Sequence, residues 1–249
     1  MDSFQRTTDT TSRHKDRTMI HLAIFGANGR MGTRLCALAQ RDDRFELTAA
    51  LSRHTTEPDA DTHLDVIIDF SSDAGTRQAI GLALAQRAAL LVGTTGLSHE
   101  TIAALEHAAK SVAVLIAPNT SLGVAVLKHL VTEAARRLGP GYQIDIIESH
   151  HAAKRDAPSG TAIRLADGIR HDGGGHLPDE RIHAIRSGDV IGEHTIRFAG
   201  PGEYLECTHR ATTRDLFVHG ALRMAAWLAD QQPGLHRIEA ALGMAESGD

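Results

Sequence analysis

One short stretch, residues 148–162, brings together several groups that could move protons or bind an anion. It holds two adjacent imidazoles, His150 and His151, and the ammonium of Lys154. A Ser-Gly-Thr turn at residues 159–161 follows at the predicted start of a helix, where backbone N–H groups can receive a carboxylate. The combination predicts an anion site with a proton donor, and it lacks the pattern of a Ser/His/Asp triad or a metal cluster.

Lys154 is the residue that makes this cluster more informative than a chance pair of histidines. The chain has 16 histidines, so an adjacent pair can arise from composition alone, and most histidines fill core or surface positions. Lysine is scarce here, and unlike arginine it can give up its proton when it is desolvated. Glu148 and Asp156 are interpreted as helix caps or solvated charges. The spacing does not divide proton transfer between His150 and Lys154.

A glycine-rich turn, Gly-Ala-Asn-Gly-Arg-Met-Gly at residues 26–32, lies near the start of the chain. An apolar run at residues 19–25 precedes it and predicts a strand, and a helical pattern with Met31 and Leu35 on one face follows. Strand, glycine turn and helix together predict a dinucleotide site, with the pyrophosphate at the helix N-terminus. A purely structural turn is the alternative.

The residues after the second predicted strand, residues 45–51, bear on the choice of nucleotide. An acidic residue at this position binds the ribose 2′-hydroxyl of NAD. Here Ser52 leaves room for a 2′-phosphate and Arg53 can pair with it, which favours NADPH. NADH use stays possible, and in the alternative interpretation Arg53 is a solvated surface residue.

The remaining apolar runs of the first half predict a doubly wound parallel sheet, a Rossmann-like α/β fold. Its further strands are predicted at residues 64–70, 89–92 and 112–117. Three strand ends are followed by small or polar residues, at residues 26–32, 93–96 and 117–121. Because such sheets bind ligands beyond the carboxyl ends of their strands, we expect the three segments to meet at one rim.

After a long helix at residues 122–138, the pattern predicts a smaller α+β C-terminal domain with an open mixed sheet. The predicted strands are residues 142–149, 181–186, 194–199 and 204–212, with a helix at 161–169. Alternating polar and apolar residues predict that one face of this sheet is buried. Helices at 215–228 and 235–242 are expected to return to the first domain. The predicted domains are a disordered extension (1–18), a dinucleotide-binding domain (19–121 and 214–249) and a substrate-binding and oligomerisation domain (122–213).

Composition excludes several classes of protein. A net charge of −5 without a basic stripe argues against a nucleic-acid partner, and no apolar run reaches the ~20 residues that span a bilayer. Cys36 and Cys207 are far apart, as expected of free thiols in a reducing, cytoplasmic setting. The glycine-rich loop at residues 171–176 gives no fixed metal cage.

Residues 1–18 lack the apolar core of a secretory signal, and their three aspartates disfavour a transit peptide. They are interpreted as a disordered extension or as the result of a start codon placed too early, with Met19 as a natural first residue. Residues 54–63 predict a loop.

Three motifs make the chain resemble the 4-hydroxy-tetrahydrodipicolinate reductase (dihydrodipicolinate reductase) family of lysine and diaminopimelate biosynthesis. They are G-A-N-G-R-M-G at residues 26–32, G-T-T-G at 93–96 and E-S-H-H-A-A-K-R-D-A-P-S-G-T-A at 148–162, with G-D-V-I-G-E-H-T at 188–195 as a further match. The resemblance runs from about residue 19 to about residue 242. It implies a homotetramer that reduces a small cyclic dicarboxylate with NADPH or NADH.

The resemblance also implies roles for individual residues. It makes His150 and Lys154 the proton donors, and His151, Gly160 and Thr161 the substrate-binding residues, to which the Ser-Gly-Thr turn adds Ser159. Its cofactor-binding positions are Gly26, Ala27, Asn28, Gly29, Arg30, Met31, Gly93, Thr94, Thr95, Ala117, Pro118, Asn119 and Thr120, to which the strand pattern adds Ser52 and Arg53. Arg214 and Phe217 match positions near the domain junction. Two departures are Ser52, where the family often has an acid, and a short 54–63 loop.

Two other functions stay open from the sequence alone. One is another two-domain Rossmann enzyme, such as an amino-acid dehydrogenase, which would not need the motif at residues 150–161. The other is a non-catalytic nucleotide sensor with a protein partner, against which the intact His150 and Lys154 argue.

Overall fold

The computed structural model describes residues 19–53, 58 and 62–244, which form two β-sheets with helices packed on them. The predicted extension at residues 1–18, residues 245–249 and most of the loop predicted at 54–63 lie outside the described residues. Among the helices that are described, none is long and apolar enough to cross a membrane.

The bounds of the elements follow the chain. The strands are β1 (Ile20–Phe25), β2 (Phe45–Leu51), β3 (Val66–Asp69), β4 (Ala89–Val92), β5 (Ala113–Ile116), β6 (Gln143–His150), β7 (Ile182–Arg186), β8 (Glu193–Gly200), β9 (Glu203–Arg210) and β10 (Gly234–His236). The α-helices are α1 (Arg30–Ala39), α2 (Asp73–Gln86), α3 (His99–Ala108), α4 (Leu122–Leu138), α5 (Gly160–Asp167), α6 (Asp215–Leu228) and α7 (Ile238–Ala241). A π-helical turn, Gly168–Asp172, continues α5.

The first sheet is parallel throughout, in the order β10-β5-β4-β3-β1-β2. Helices α1 and α6 pack on one face, and α2 and α3 pack on the other. Every residue of β3 and β4 is buried, as expected for parallel strands that are covered on both sides. The predicted doubly wound α/β sheet is confirmed, and its strand order reverses between β1 and β3, where such sheets bind ligands.

The second sheet is mixed, in the order β7-β6-β8-β9, with β6 and β7 parallel and the other pairs antiparallel. Helices α4 and α5 cover one face around Ile146, Ile196 and Phe198. The other face is open, with Tyr204 67% and Ile185 46% exposed. The predicted open mixed sheet with one buried face is therefore confirmed, and β6 and β8 carry the alternation most clearly.

One predicted element is wrong in part. Residues 235–242 were expected to form a helix, but Gly234–His236 form the edge strand β10 and only Ile238–Ala241 are helical. The reason is tertiary, since β10 gains a parallel ladder with β5 that a short helix could not offer. The chain thus returns to the first sheet as expected, through α6 and β10. The other elements agree with their predicted ranges to within a few residues at each end.

Candidate active site

The turn after β1 is shaped by close backbone contacts. Gly26 has φ +80°, and a Cβ atom there would lie 2.2 Å from the carbonyl oxygen of Phe70. A Cβ on Gly32, in the first turn of α1, would lie 2.1 Å from the carbonyl oxygen of Gly26. Both positions therefore require glycine, and the start of α1 packs directly on the turn.

The N-terminus of α1 fits a pyrophosphate. Helices α2, α3, α4 and α5 are each capped by a serine hydroxyl, at Ser72, Ser98, Ser121 and Ser159. Helix α1 begins after Gly29, which has no side chain to cap it, and its first turn carries no acidic residue. Its first N–H groups have no intrahelical acceptor, so an anion can take that place.

The three predicted segments do meet at one rim. Residues 26–32, 93–96 and 117–121 follow β1, β4 and β5, which are parallel members of the same sheet. The backbone N–H of Ala27 also donates to the carbonyl of Leu51 (3.0 Å), which brings the end of β2, with Ser52 and Arg53, beside the glycine turn. Arg53 is exposed there, whereas Ser52 is half-buried.

Two predicted nucleotide residues have other contacts. Thr120 is buried, and its hydroxyl donates to the carbonyl of Phe217 (2.7 Å), so its side chain fastens α6 and does not face the rim. The Asn119 amide donates to the Thr161 hydroxyl (3.1 Å) and so joins the rim of the first sheet to the start of α5.

A buried carboxylate under this rim escaped the sequence interpretation. Asp69, the last residue of β3, accepts hydrogen bonds from the hydroxyls of Ser71, Thr76 (2.6 Å) and Thr94 (2.8 Å). Thr94 in turn accepts from the N–H of Ser71 (2.8 Å). The network ties the ends of β3 and β4 together.

At the end of β6, Glu148 and His150 form a buried pair. Their side chains point the same way along the strand, and Nδ1 of His150 lies 2.5 Å from Oε2 of Glu148. Glu148 is 0% exposed and His150 is 8% exposed. The interpretation of Glu148 as a solvated charge is wrong, because β6 turns this side chain into the protein.

Glu148 is surrounded by donors. Arg186 on β7 donates to both of its carboxylate oxygens, at 2.9 and 2.8 Å, and the N–H of Ser159 donates to Oε1 at 3.0 Å. Burial alone would raise the pKa of the Glu148 carboxyl, but the bonds from Arg186 and His150 outweigh it and the pKa is lowered. Burial lowers the pKa of His150, and the contact with Glu148 opposes this shift.

The Ser159 N–H that we expected to bind a substrate carboxylate is thus already bound by Glu148. The Ser159 hydroxyl accepts the N–H of Ala162 (3.1 Å) as the cap of α5. Within the described residues, the N–H groups of Gly160 and Thr161 have no acceptor. Of the N–H groups predicted to bind an anion at residues 159–161, those of Gly160 and Thr161 therefore remain available.

Two further histidines extend the cluster across the sheet. His194 on β8 is 3% exposed, its Nε2 lies 3.3 Å from the Ser159 hydroxyl, and its ring packs edge-on against His150 at 5.2 Å. Opposite it on β9, Nε2 of His209 lies 3.4 Å from the Ser121 hydroxyl. The motif at residues 188–195 contains His194, and that was the one sequence signal that pointed to it.

Lys154 and His151 lie on the loop after β6. The Lys154 ammonium is 2.8 Å from the carboxylate of Asp156, which is exposed, as a solvated charge would be. His151 is half-buried, and its carbonyl accepts the N–H of Lys154 (3.0 Å). The loop therefore holds a cation close to the Glu148–His150 pair.

Two cavities adjoin the glycine turn and the rim of the first sheet. One, of about 390 Å³, is lined by Arg30, Met31 and Arg214 and so joins the glycine turn to the start of α6. A larger cleft, of about 630 Å³, is lined in part by Asn119 and Thr161, while neither His150 nor Lys154 borders it. In the part of the chain that the structure describes, no group of three His, Cys, Asp or Glu residues could hold a metal ion.

Comparison with known families places these features in context. A family model described as the N-terminus of dihydrodipicolinate reductase matches residues 20–120, and the model of its C-terminus matches residues 123–242. The 4-hydroxy-tetrahydrodipicolinate reductase of Myxococcus xanthus is 38% identical over 266 residues, covering 90% of this chain and 98% of that protein. The enzyme of the same name from Anaeromyxobacter dehalogenans strain 2CP-1 is 39% identical over 267 residues, covering 91% and 98%.

Solved structures agree on the fold. Dipicolinate-bound dihydrodipicolinate reductase from Paenisporosarcina sp. TG-14 superposes with a TM-score of 0.74 at 23% identity, covering 88% of this chain and 97% of that one. The diaminopimelate (DAP) dehydrogenase of C. glutamicum, in complex with DAP, gives a TM-score of 0.53 at 14% identity, covering 89% and 93%. Both likenesses concern the fold of this chain.

Proposed function

The chain belongs to the dihydrodipicolinate reductase family, and we propose that it reduces 4-hydroxy-tetrahydrodipicolinate to tetrahydrodipicolinate with a nicotinamide nucleotide. This reaction belongs to lysine and diaminopimelate biosynthesis. The observation that carries the proposal is the buried Glu148–His150 pair beside the free N–H groups of Gly160 and Thr161. It offers a proton donor at the end of β6 and a carboxylate site at the start of α5.

The nucleotide is proposed to lie along the rim of the first sheet. The first N–H groups of α1, at Arg30 and Met31, would hold the pyrophosphate, since no side chain caps them. Ribose and nicotinamide would lie at residues 93–95 and 117–119. When bound, the reduced nicotinamide supplies a hydride and is left as a cation.

The protein's own residues would handle the substrate and its protons. The N–H groups of Gly160 and Thr161 receive one carboxylate, and His151 and Lys154 supply positive charge to it. The substrate loses its 4-hydroxyl as water, takes a hydride at ring carbon 4, and then takes one proton at the neighbouring carbon. Of the two candidate donors, His150 is the better oriented, because Glu148 holds its Nδ1 and leaves Nε2 to face the substrate.

Three further proposals follow from the same interpretation. Ser52 and Arg53 at the end of β2 favour NADPH over NADH, since neither repels a 2′-phosphate. The open face of the second sheet, with Tyr204 and Ile185, suits a homotetramer interface. A biosynthetic reductase that uses soluble substrates suits a cytoplasmic location.

An assay with both nucleotides tests the proposal. The purified chain is mixed with freshly made product of dihydrodipicolinate synthase, and the loss of nucleotide absorbance is followed. We expect turnover with NADPH and slower turnover with NADH. The absence of turnover with either nucleotide would rule the reductase out.

A Lys154→Ala variant separates the reductase from an amino-acid dehydrogenase, which would oxidise an amino acid with NAD. Under the reductase proposal the variant loses turnover and still binds NADPH. The non-catalytic sensor would show instead a stable complex with another protein and no turnover in the unsubstituted chain.

A further inference from the structure

Asp69 is a buried carboxylate without a countercharge. It is 0% exposed, and within the described residues it forms no ion pair. Its hydrogen-bond donors are neutral groups, namely the hydroxyls of Ser71, Thr76 and Thr94 and the backbone N–H of Ser71. Burial raises the pKa of this carboxyl, and the bonds from the three hydroxyls and the Ser71 N–H act against that shift.

A buried anion is costly unless something balances it. Hydroxyl donors offset part of the cost, and helix α2, which begins at Asp73 with Thr76 in its first turn, points its positive end toward Asp69. Neither brings a formal positive charge. The structure therefore holds a negative site to which a cation could be added.

The position of Asp69 indicates what that cation is. Thr94 receives the Ser71 N–H and donates to Asp69, so the carboxylate lies directly behind the segment at residues 93–95. The carbonyl of Asp69 also accepts the N–H of Gly93 (2.8 Å). The proposed function puts the nicotinamide against this segment, and the oxidised ring is the one cation that the reaction creates.

We propose that Asp69 is a positioning residue for hydride transfer, which fixes Thr94 at the rim and, as an anion, favours the oxidised nicotinamide ring over the reduced one. This inference rests on the proposed nucleotide site. The ring changes from neutral to a charge of +1 as the hydride leaves with two electrons. An anion already fixed behind the rim stabilises that change without reorganising, which lowers the barrier to hydride transfer.

The test compares the affinities for the two forms of the nucleotide. Dissociation constants for NADP⁺ and NADPH are measured by isothermal titration calorimetry on the full chain and on Asp69→Asn. We expect the ratio of the NADP⁺ constant to the NADPH constant to rise about fivefold in the variant, as loss of one partly screened charge would give. An unchanged ratio, or an equal rise of both constants, would show a purely structural role and overturn the proposal.

Asp65→Asn is the matched control. Asp65 precedes the same strand at its other end, where its largely buried carboxylate accepts the N–H of His21 (2.9 Å). It lies away from the rim, so we expect the ratio to stay within twofold of the unsubstituted value. If Asp69→Asn does not fold, Asp69→Ser, which leaves space for a water, is measured with the same criteria.

These outcomes also separate the inference from the proposed function. A chain that binds neither nucleotide overturns both. A chain that binds both and turns over, but whose ratio does not respond to residue 69, overturns the role of Asp69 alone.

Discussion

Asp69 and Glu148, the two carboxylates that are completely buried among the described residues, are balanced in opposite ways. Each sits at or near the carboxyl end of a strand, Asp69 in the first sheet and Glu148 in the second. Asp69 has neutral donors, three hydroxyls and the backbone N–H of Ser71, whereas Glu148 has the guanidinium of Arg186 and the imidazole of His150. The first sheet thus leaves a charge unpaired, and the second completes its charge network within the protein.

The difference indicates what each region is prepared for. A complete ion network is rigid and sets the orientation of its members, which suits a group that must deliver a proton in a fixed direction. An anion held by neutral donors suits a ligand that changes its own charge. The nucleotide rim is otherwise built from backbone contacts, such as those of Gly26 and Gly32.

The largest effect is expected in the second sheet, when the proposed proton donor His150 is replaced. In His150→Asn, the side-chain amide can still donate a hydrogen bond to Glu148. The shorter side chain has no atom at the position of Nε2. We expect kcat to fall about thousandfold, because a positioned general acid contributes on that scale. The NADPH dissociation constant, measured by calorimetry, should stay within twofold.

His183→Asn is the control for this variant. His183 is exposed on β7 and also contacts a carboxylate, Asp145 (3.2 Å). Equal losses of kcat in the two variants would mean that His150 has no special part in the reaction.

The second test uses the pH dependence of stability. Burial, followed by the charge of His150, lowers the pKa of His194 to about 4. The unfolded ring titrates near ~6.5, so between those values the unfolded chain binds a proton that the folded chain does not. The contribution of the neutral His194 ring to the free energy of unfolding is therefore fully present above about pH 6.5. As the pH falls to about 4, the free energy of unfolding decreases by about 3 kcal/mol.

Urea unfolding at pH 7 and pH 4.5 measures this loss, and a His194→Gln variant should show a much smaller change. Glu148 adds in the same direction, since its pKa is lowered, but its share is lost at more acidic pH. His183→Gln, which replaces an exposed ring, should keep the full pH dependence. If His194→Gln keeps it as well, His194 is not the responsible group.

A smaller effect, on nucleotide affinity, is expected in the first sheet at the end of β2. Ser52→Asp places a carboxylate where it can bind a ribose hydroxyl and repel a 2′-phosphate. We expect the ratio of NADPH to NADH dissociation constants to rise about tenfold, which corresponds to roughly 1.4 kcal/mol. Thr48→Asp, at an exposed position within the same strand, should leave the ratio unchanged, and an unchanged ratio in Ser52→Asp would contradict our interpretation of that position.

The first region could be predicted from the sequence because its signals are local. The glycine turn lies between its own strand and helix, and the three strand ends meet because parallel strands share their direction. Asp69 was missed because Thr94, one of its partners, is 25 residues away in the chain. Nothing in the run L-D-V-I-I-D-F distinguishes Asp69 from the aspartate four residues earlier.

In the second sheet, the sequence predicted which residues form the candidate site, but it did not predict how they are arranged. The motif identified His150 and Lys154, but the burial of Glu148 depends on Arg186, 38 residues away on a neighbouring strand. The same contact network takes the Ser159 N–H, which local sequence would offer to a ligand. Strand β10 was missed for a similar reason, since its pairing with β5 joins distant parts of the chain.

The assignment of Glu148 to the orientation of His150 can be tested with a double-mutant cycle. Glu148→Gln keeps the shape of the side chain and an acceptor for Ser159, and it loses the charge. In the chain that keeps His150, we expect Glu148→Gln to lower kcat about hundredfold, because the His150 ring loses its fixed orientation. Asp145→Asn, on the opposite face of the same strand, is the control and should change kcat less than twofold.

The decisive comparison is kcat for Glu148→Gln in the presence and in the absence of His150. If Glu148 acts through His150, adding Glu148→Gln to His150→Asn lowers kcat by less than about threefold, because members of one catalytic unit are strongly non-additive. If the double variant instead loses the full hundredfold again, Glu148 acts independently of His150, and the division of labour between the two buried carboxylates is wrong.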